Sequence, residues 1–323
     1  MSLIKAVQRA FSKMAPVSLA ESWDNTGLLL ESPVMRPLAN KVLLTIDLTP
    51  SVAEEALQKD SNIGVIVAYH PTIFRGLKSL TLNDPLQEII LKCAVAGIRF
   101  VLYITRPSIS EPESHLSRTA LRGLFSVYSP HTALDSVIGG INDELCEIIS
   151  GPKPHTNQVF SVSGAIVEKS SENVLNGVGL GGGRRVELAQ GKEVDLDQLI
   201  SRIKAGLGLS HVQLAKSSFA PTSIRSVGVC AGSGGSICSA LGKTCEAFVT
   251  GEMSHHELLS ANARGIHVIL TAHTNTERFF LAKVLQPRLH KLLTDEGAHM
   301  SANEHPHWDV KVSSADRDPL VVV

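Results

Sequence analysis

The stretch IGVIVAYHPTIF, Ile63 to Phe74, decides the fold of the first part of the chain. Apolar and largely β-branched residues run up to Tyr69 and His70, and a proline follows at once. Such a run predicts a strand that is buried on both faces, as in a parallel sheet. The strand therefore ends on a histidine at the edge of a sheet.

The neighbouring segments alternate between strand and helix patterns. NKVLLTIDLT (40–49) predicts a buried strand, and PSVAEEALQKD (50–60) predicts a helix with a proline in its first turn. DPLQEIILKCAVAGI (84–98) predicts another helix. This order predicts a parallel sheet covered on both faces, in which ligands bind beyond the carboxyl ends of the strands. His70 lies at such an end.

The second half of the chain repeats this order. RSVGVCAGSGGS (225–236) predicts a strand that runs into a glycine loop, and IHVILTAHTNTERFFLAKVLQP (266–287) predicts a buried strand and a helix. This second strand also ends on a histidine, His273. Because residues 151–191 are richer in Gly, Ser and Pro, we predict a domain at 1–150, a junction at 151–191 and a second domain at 192–323.

Composition limits the classes of function. The 30 basic and 31 acidic residues give a net charge of −1, so no basic surplus indicates nucleic acid. Five cysteines, an odd number without a C-x-x-C pair, argue against a disulfide framework and favour a reducing compartment. No apolar run approaches the length of about 18 residues that predicts a membrane-spanning helix.

The first 23 residues are amphipathic and basic. Leu3, Val7 and Phe11 recur at helical spacing and Pro16 follows, which predicts an ordinary first helix. A mitochondrial presequence is the alternative. We therefore expect a cytoplasmic protein, with the mitochondrion as the second location.

One segment lacks a clean period. We predict that residues 101–126 are an insertion with little stable structure, because they contain Pro107, Pro112 and several Ser and Glu and have no steady period. A structureless loop of this length is uncommon in a compact domain. Two stretches compete for the strand that precedes His131, namely IRFVLYI (98–104) and LFSVYSP (124–130). The first has the better strand propensity. We favour the second, because it leads directly into His131.

Three histidine motifs carry residues that can bind a metal. They are His70 at its strand end, His131 with Asp135 in SPHTALD, and His273 with Glu277 in AHTNTER. Residues four apart are neighbours on a helix, so the last pair can face one point. Imidazole and carboxylate together suit Zn, Mn, Fe or Ni. Simpler explanations are a structural histidine, a turn with a carboxylate cap and a helix ion pair.

TGEMSHHELL (250–259) adds Glu252, His255 and His256. Ser254 as a helix N-cap is the simpler interpretation. In the functional interpretation these side chains line the pocket and orient the metal ligands through hydrogen bonds.

Six motifs in this order resemble one family: LAESWDNTGLLLE, YHPTIF, YSPHTALDSVIGGINDEL, GEMSHHELL, AHTNTERFF and ADRDPL. This is the Ngg-one-interacting-factor-three-like family, a dinuclear-metal-centre family also labelled type two of GTP cyclohydrolase one. The resemblance implies an α/β fold of two similar three-layer α/β/α domains that face a metal-containing cleft. It also implies a toroidal homohexamer.

The resemblance maps the metal ligands to His70, Asp135, His273 and Glu277, with His131 beside the site. Many bacterial members have a second histidine where this chain has Tyr69, and eukaryotic members often carry the tyrosine. A phenol with a pKa near 10 is a poor ligand at neutral pH, so the chain is expected to hold one or two metal ions.

The resemblance leaves two hypotheses about function. In the first, the protein is a metal-dependent hydrolase of a nucleotide or phosphate ester, with His131 or His255 as general acid or base. In the second, it is a hexameric scaffold that binds a transcription cofactor and holds a structural metal. Neither hypothesis involves a membrane.

Overall fold

The computed structural model describes residues 2–32, 39–58, 61–95, 125–150, 159–161, 181–298 and 307–323. The strands are β1 (Gly27–Leu30), β2 (Lys41–Thr45), β3 (Ile63–Ala68), β4 (Ser126–Ser129), β5 (Val159–Ser161), β6 (Arg184–Glu187), β7 (Gln213–Ala215), β8 (Ser226–Ser233), β9 (Ala247–Glu252), β10 (His267–Leu270) and β11 (Asp309–Val312). The α-helices are α1 (Leu3–Met14), α2 (Pro50–Leu57), α3 (Pro85–Val95), α4 (His131–Ser136), α5 (Ile141–Ser150), α6 (Leu196–Leu207), α7 (Gly235–Leu241), α8 (His255–Ala263), α9 (Asn275–Phe280) and α10 (Gln286–Ala298).

The chain forms two compact units. The first comprises Met1–Phe11, Asn25–Pro130 and Gln286–Asp316, and the second comprises Ser12–Asp24, His131–Leu285 and Arg317–Val323. Each unit has its own sheet with helices, which confirms the predicted α/β class with two α/β domains. Most of the predicted insertion at 101–126 and much of the predicted junction at 151–191 lie outside the described residues, so these boundaries stay predictions.

The first unit has a five-stranded sheet in the order β1-β4-β3-β2-β11. The strands β11, β2, β3 and β4 are parallel, and every residue of β3 is buried, as the sequence predicts. The strand β4 confirms that the stretch next to His131 enters the sheet, because Val127 pairs with Ile66 of β3. The expectation of a purely parallel sheet is wrong at one edge, where β1 runs antiparallel to β4. An antiparallel edge strand needs no crossover helix, and mixed sheets of this kind are common.

Helix α1 confirms the predicted first helix. Leu3, Val7 and Phe11 are all buried, since their spacing puts them on one face. The Phe11 ring stacks on Tyr128 of β4 at a centroid distance of 4.7 Å. Packing of a buried aromatic pair contributes about 0.5–1.5 kcal/mol beyond its buried area.

The second unit has a six-stranded sheet in the order β5-β6-β8-β9-β10-β7. The three central strands β8, β9 and β10 are parallel, whereas β5, β6 and β7 pair antiparallel. Here too the parallel prediction holds for the centre of the sheet and is wrong for its outer strands.

Local sequence signals explain where helices of the second unit begin and end. Asp195 caps α6 by accepting a hydrogen bond from the Gln198 backbone, while the Gln198 side chain accepts from the Asp195 backbone. The helix ends at Gly208, whose φ of 68° is a conformation that glycine adopts without strain. Thr274 is the N-cap of α9, so the predicted helix after the strand begins next to His273.

Two further features bear on the sequence predictions. All five cysteines are buried free thiols. Among the described residues, none of the helices combines the length and the apolar character needed to cross a bilayer.

Glu55 of α2 joins this helix to the segment after β11. Its carboxylate accepts hydrogen bonds from the Ser313 hydroxyl, the backbone and hydroxyl of Ser314, and the Ala315 backbone. Burial alone would raise the pKa of Glu55, but these hydrogen bonds outweigh it, and the pKa is lowered.

We predict that Glu55→Gln destabilises the protein at neutral pH by about 1 kcal/mol, the size of a partly exposed hydrogen-bonded charge. Because the folded state lowers this pKa, the carboxylate stabilises the fold fully above its unfolded pKa of about 4.3. The contribution is lost as the pH falls through the folded-state value. Denaturant unfolding at pH 7 and pH 3 should show a difference from wild type that shrinks in acid. Glu54→Gln, at an exposed position of the same helix, is the control, and an equal loss at both pH values would contradict the prediction.

Candidate metal centre

His273 and Glu277 lie together in the second unit. His273 follows β10, and Glu277 is in the first turn of α9. The His273 Nε2 atom is 3.5 Å from a Glu277 Oε1 atom, and the Glu277 side chain is only 2% exposed. The predicted i, i+4 pair is therefore brought together, and both residues belong to a group of histidine and glutamate side chains that could hold a metal ion.

A glycine makes room for this pair. Gly232 in β8 has a φ of 63°, and a Cβ atom there would lie 2.9 Å from Glu277 Oε1 and 3.0 Å from His273 Nε2. Its backbone N–H donates to the Thr276 hydroxyl at 2.8 Å. A side chain at position 232 would fill the space in front of the two donor atoms. This space and the imidazole–carboxylate chemistry both fit a divalent transition metal.

Three histidines of the site motifs have the same arrangement at Nδ1. In each, this ring nitrogen lies within hydrogen-bond distance of a carboxylate oxygen: His70 with Asp47 at 2.9 Å, His131 with Asp24 at 2.8 Å, and His273 with Glu252 at 3.0 Å. An ionised carboxylate accepts a hydrogen bond from Nδ1–H and thereby makes Nε2 the nitrogen that can bind a metal or take up a proton. The sequence predicts this role for Glu252; for Asp24 and Asp47 it was missed.

The sheet register explains two of these pairs. Thr45 of β2 pairs with Ala68 of β3, and Asp47 and His70 each follow two residues later. In the second unit Thr250 of β9 pairs with Leu270 of β10, and Glu252 and His273 lie just beyond. An acidic residue placed like the histidine, past the end of the neighbouring strand, is the signal that could have identified Asp47 from the sequence.

Asp24 holds the start of α4. Its carboxylate accepts hydrogen bonds from His131 Nδ1 and from the backbone and hydroxyl of Thr132, and its side chain is fully buried. Burial would raise the pKa of Asp24, but the hydrogen bonds from His131 and Thr132 prevail and lower it. Asp24 therefore remains a carboxylate at neutral pH and fixes the His131 ring.

Asp135 lies on the partly exposed side of α4, while Thr132, Ala133, Leu134 and Ser136 are buried. Its carbonyl oxygen accepts a hydrogen bond from the buried Asn142 side chain, and the Asn142 oxygen accepts from the Ala231 backbone of β8. These bonds fix α4 relative to the strand that contains Gly232.

Arg184 is the largest fully buried side chain among the described residues. Its guanidinium pairs with Asp143 and donates to the carbonyl groups of Ser136 and Val137, at the end of α4. It also donates to the carbonyl of Gly181. Arg184 follows three glycines, Gly181 to Gly183, and its buried role was not predicted from the sequence.

The pKa of the buried Cys230 thiol depends on the carboxylates around it. Burial raises its pKa, and the nearby carboxylates Asp135, Glu277 and Glu21 raise it further. The thiol stays protonated and donates to the Gly182 carbonyl at 3.3 Å. Three acidic side chains of the second unit therefore act electrostatically on the same buried sulfur atom.

The remaining predicted residues are placed as follows. His70 lies in the first unit at the end of β3, whereas Asp135, His273 and Glu277 lie in the second. His255 is exposed at the start of α8, with its ring edge-on to His256. Ser254 is the N-cap of that helix, as in the simpler interpretation. Tyr69 is 1% exposed and therefore packs as a buried residue.

The comparisons with known proteins agree with this fold. The family model of Duf34/NIF3 (NGG1p interacting factor 3) matches residues 2–105 and 100–306. The chain is 40% identical over 305 residues to Protein NIF3 homolog of Schizosaccharomyces pombe, with 94% of this chain and 92% of that protein covered. It is 36% identical over 326 residues to NGG1-interacting factor 3 of Saccharomyces cerevisiae, with 97% and 95% covered. The crystal structure of a Bacillus cereus protein related to NIF3 has the same fold, with a TM-score of 0.68 at 18% identity over 99% of this chain and 98% of that one.

We predict that Arg184→Ala destabilises the protein by about 3–5 kcal/mol, because it leaves Asp143 and several carbonyl groups without their buried donor. Arg225→Ala is the control, since the Arg225 side chain is 51% exposed in its pair with Glu187 and should change stability by less than about 1 kcal/mol. Urea unfolding of both variants measures the difference. Equal stability of the two variants would mean that Arg184 is not a structural anchor.

Glu252→Gln should lower metal affinity by about 10–100-fold without unfolding the protein, since the amide no longer fixes the His273 tautomer. Competition with a chromophoric chelator measures the affinity. Asp197→Asn, at an exposed carboxylate of α6, is the matched control. Unchanged affinity in Glu252→Gln would show that the carboxylate next to His273 Nδ1 does not support a metal ligand.

Proposed function

Because the chain belongs to the Duf34/NIF3 family, we propose that it is a metal-dependent hydrolase-like protein that acts on a nucleotide or another phosphate ester. The observation that carries this proposal is the His273–Glu277 pair, with its buried carboxylate and its ring held by Glu252. Zn, Mn, Fe or Ni is the cation that such donors prefer.

We propose that His273, Glu277 and Asp135 bind the metal together with His70. The support for His70 is its place at the end of β3 and its carboxylate partner Asp47, the same arrangement as His273 and Glu252. Asp135 is supported by its position on the partly exposed side of α4 and by its influence on Cys230, which it shares with Glu277.

The metal, when bound, would supply a nucleophile at neutral pH by lowering the pKa of a coordinated water. The residues of the chain would do the rest. The Asp24 carboxylate orients His131 so that Nε2 can accept a proton, and the buried Asp24 stabilises the imidazolium that results. His255 is the second residue that we propose as acid or base, because its exposed ring at the start of α8 can exchange protons with solvent.

A second candidate function has its own support. The Saccharomyces cerevisiae relative is named NGG1-interacting factor 3, which indicates a protein partner for that relative. On this proposal the present chain is a scaffold in transcription, its metal is structural, and its assembly is a homohexamer. The cytoplasmic or mitochondrial location stays a prediction.

Elemental analysis of protein purified without chelator tests the proposal. We expect one or two metal ions per chain, fewer in Glu277→Gln, His273→Ala, Asp135→Asn and His70→Ala, and no loss in Tyr69→Phe. The variants Glu277→Gln and Tyr69→Phe are nearly isosteric with the wild type, so they separate ligand loss from unfolding. Equal metal content in all variants would overturn the ligand set.

The same preparations then distinguish the two functions. Loaded protein should hydrolyse members of a nucleotide and phosphate-ester panel, and His131→Gln should lower the rate by about 10²–10⁴-fold while keeping the metal. A metal-loaded protein that sediments as a hexamer but turns over nothing on the panel would favour the scaffold.

A further inference from the structure

Trp23 is an exposed tryptophan next to the candidate site. The chain has two tryptophans. The Trp23 side chain is 59% exposed, whereas Trp308 is buried. A single exposed apolar side chain is common on proteins, but tryptophan is enriched where proteins bind a partner, because its ring offers a large apolar face and a polar N–H. The indole stands nearly perpendicular to the His131 ring, at a centroid distance of 6.1 Å and an interplanar angle of 79°.

The turn that contains Trp23 is held on both sides. The Glu21 backbone N–H donates to the Thr132 hydroxyl at 3.0 Å, and the Asp24 carboxylate binds Thr132 and His131. Within the turn, the Asp24 backbone N–H donates to the Glu21 carbonyl at 2.9 Å. The backbone on either side of the indole is thus fixed to the start of α4, so a ligand would meet a preformed surface.

The indole is linked to the candidate ligand Asp135 through His131. His131, which its ring touches, precedes Asp135 by four residues in α4, and such residues are neighbours on one face of a helix. One helical turn is about 5.4 Å, which is within the span of a single nucleotide. Glu21, two residues before Trp23, acts on Cys230 together with Asp135 and Glu277.

We propose that Trp23 is the stacking surface for a planar nitrogen heterocycle of the substrate, such as a purine base. This inference rests on the proposed function, because it assigns the ring of a nucleotide to Trp23 and the phosphate to the metal. A ring stacked on the indole would stand nearly perpendicular to the His131 imidazole. Stacking needs no charge, so it can hold a base in a region whose carboxylates repel anions.

Titration calorimetry on the full metal-loaded chain tests the proposal. The probes are adenosine 5′-monophosphate and ribose 5-phosphate, which share the phosphate and sugar and differ in the base. Trp23→Ala should weaken the nucleotide by about fivefold to a hundredfold, the range for loss of one aromatic stack, and should leave ribose 5-phosphate unchanged. Trp23→Phe should retain most of the affinity. Phe219→Ala, at an aromatic residue that is 79% exposed, is the matched control and should change neither affinity.

The outcomes separate this inference from the proposed function. If the wild type binds both probes with equal affinity and Trp23→Ala changes neither, only the stacking surface is wrong. If Trp23→Ala weakens both probes equally, the indole supports the fold of the site rather than the base. A wild type that holds metal but binds neither probe would overturn both the inference and the phosphate-ester function. Quenching of Trp23 fluorescence by the nucleotide, in a Trp308→Phe background, is the second readout expected if the base stacks.

Discussion

The hydrogen bond between a carboxylate and the Nδ1 atom of a histidine is the interaction on which the candidate site depends. An imidazole on a loop can rotate about χ2 and can carry its proton on either nitrogen. A given nitrogen is therefore free of its proton and correctly oriented to bind a metal only part of the time. One carboxylate at Nδ1 fixes both the ring orientation and the tautomer. The structure has this bond at His70 and His131, and a Glu252 oxygen lies 3.0 Å from the Nδ1 atom of His273. The strand end places each of two histidines, and the carboxylate fixes its ring.

The parallel centre of each sheet provides this bond by geometry. Neighbouring parallel strands lie about 4.8 Å apart and end at the same edge, so residues at or just past their ends meet. In the first unit these residues are Asp47 and His70, and in the second they are Glu252 and His273. The two units therefore repeat one device with different sequences. This close packing restricts position 232 to glycine, because a Cβ atom there would take the space in front of His273 and Glu277.

The predictable part of the site is the part that is local in sequence. The buried run that ends at His70 and the i, i+4 spacing of His273 and Glu277 are patterns of a few residues, and the structure has both. The roles of Asp24 and Arg184 depend on pairing between segments far apart in the chain, 107 residues for Asp24 with His131. A pattern of neighbouring residues does not reveal which distant segments will pair. The antiparallel outer strands were missed for the same reason, since strand direction is set by the connection and not by the strand sequence.

The charge of the second unit connects the metal and the substrate in the proposed function. Asp135, Glu277 and Glu21 all act on the buried Cys230 thiol and raise its pKa, so their fields overlap in one small region. Carboxylates that act on one atom also repel one another and a phosphate, and a divalent cation would relieve both repulsions. A phosphate ester could therefore approach these carboxylates only after the cation is bound. Its base would still need a contact that does not depend on charge, and the exposed indole of Trp23, held on α4 through Glu21 and Asp24, is the side chain of this region that provides one. Electrostatics would then set the order of binding, metal before ester, and stacking would select among the esters.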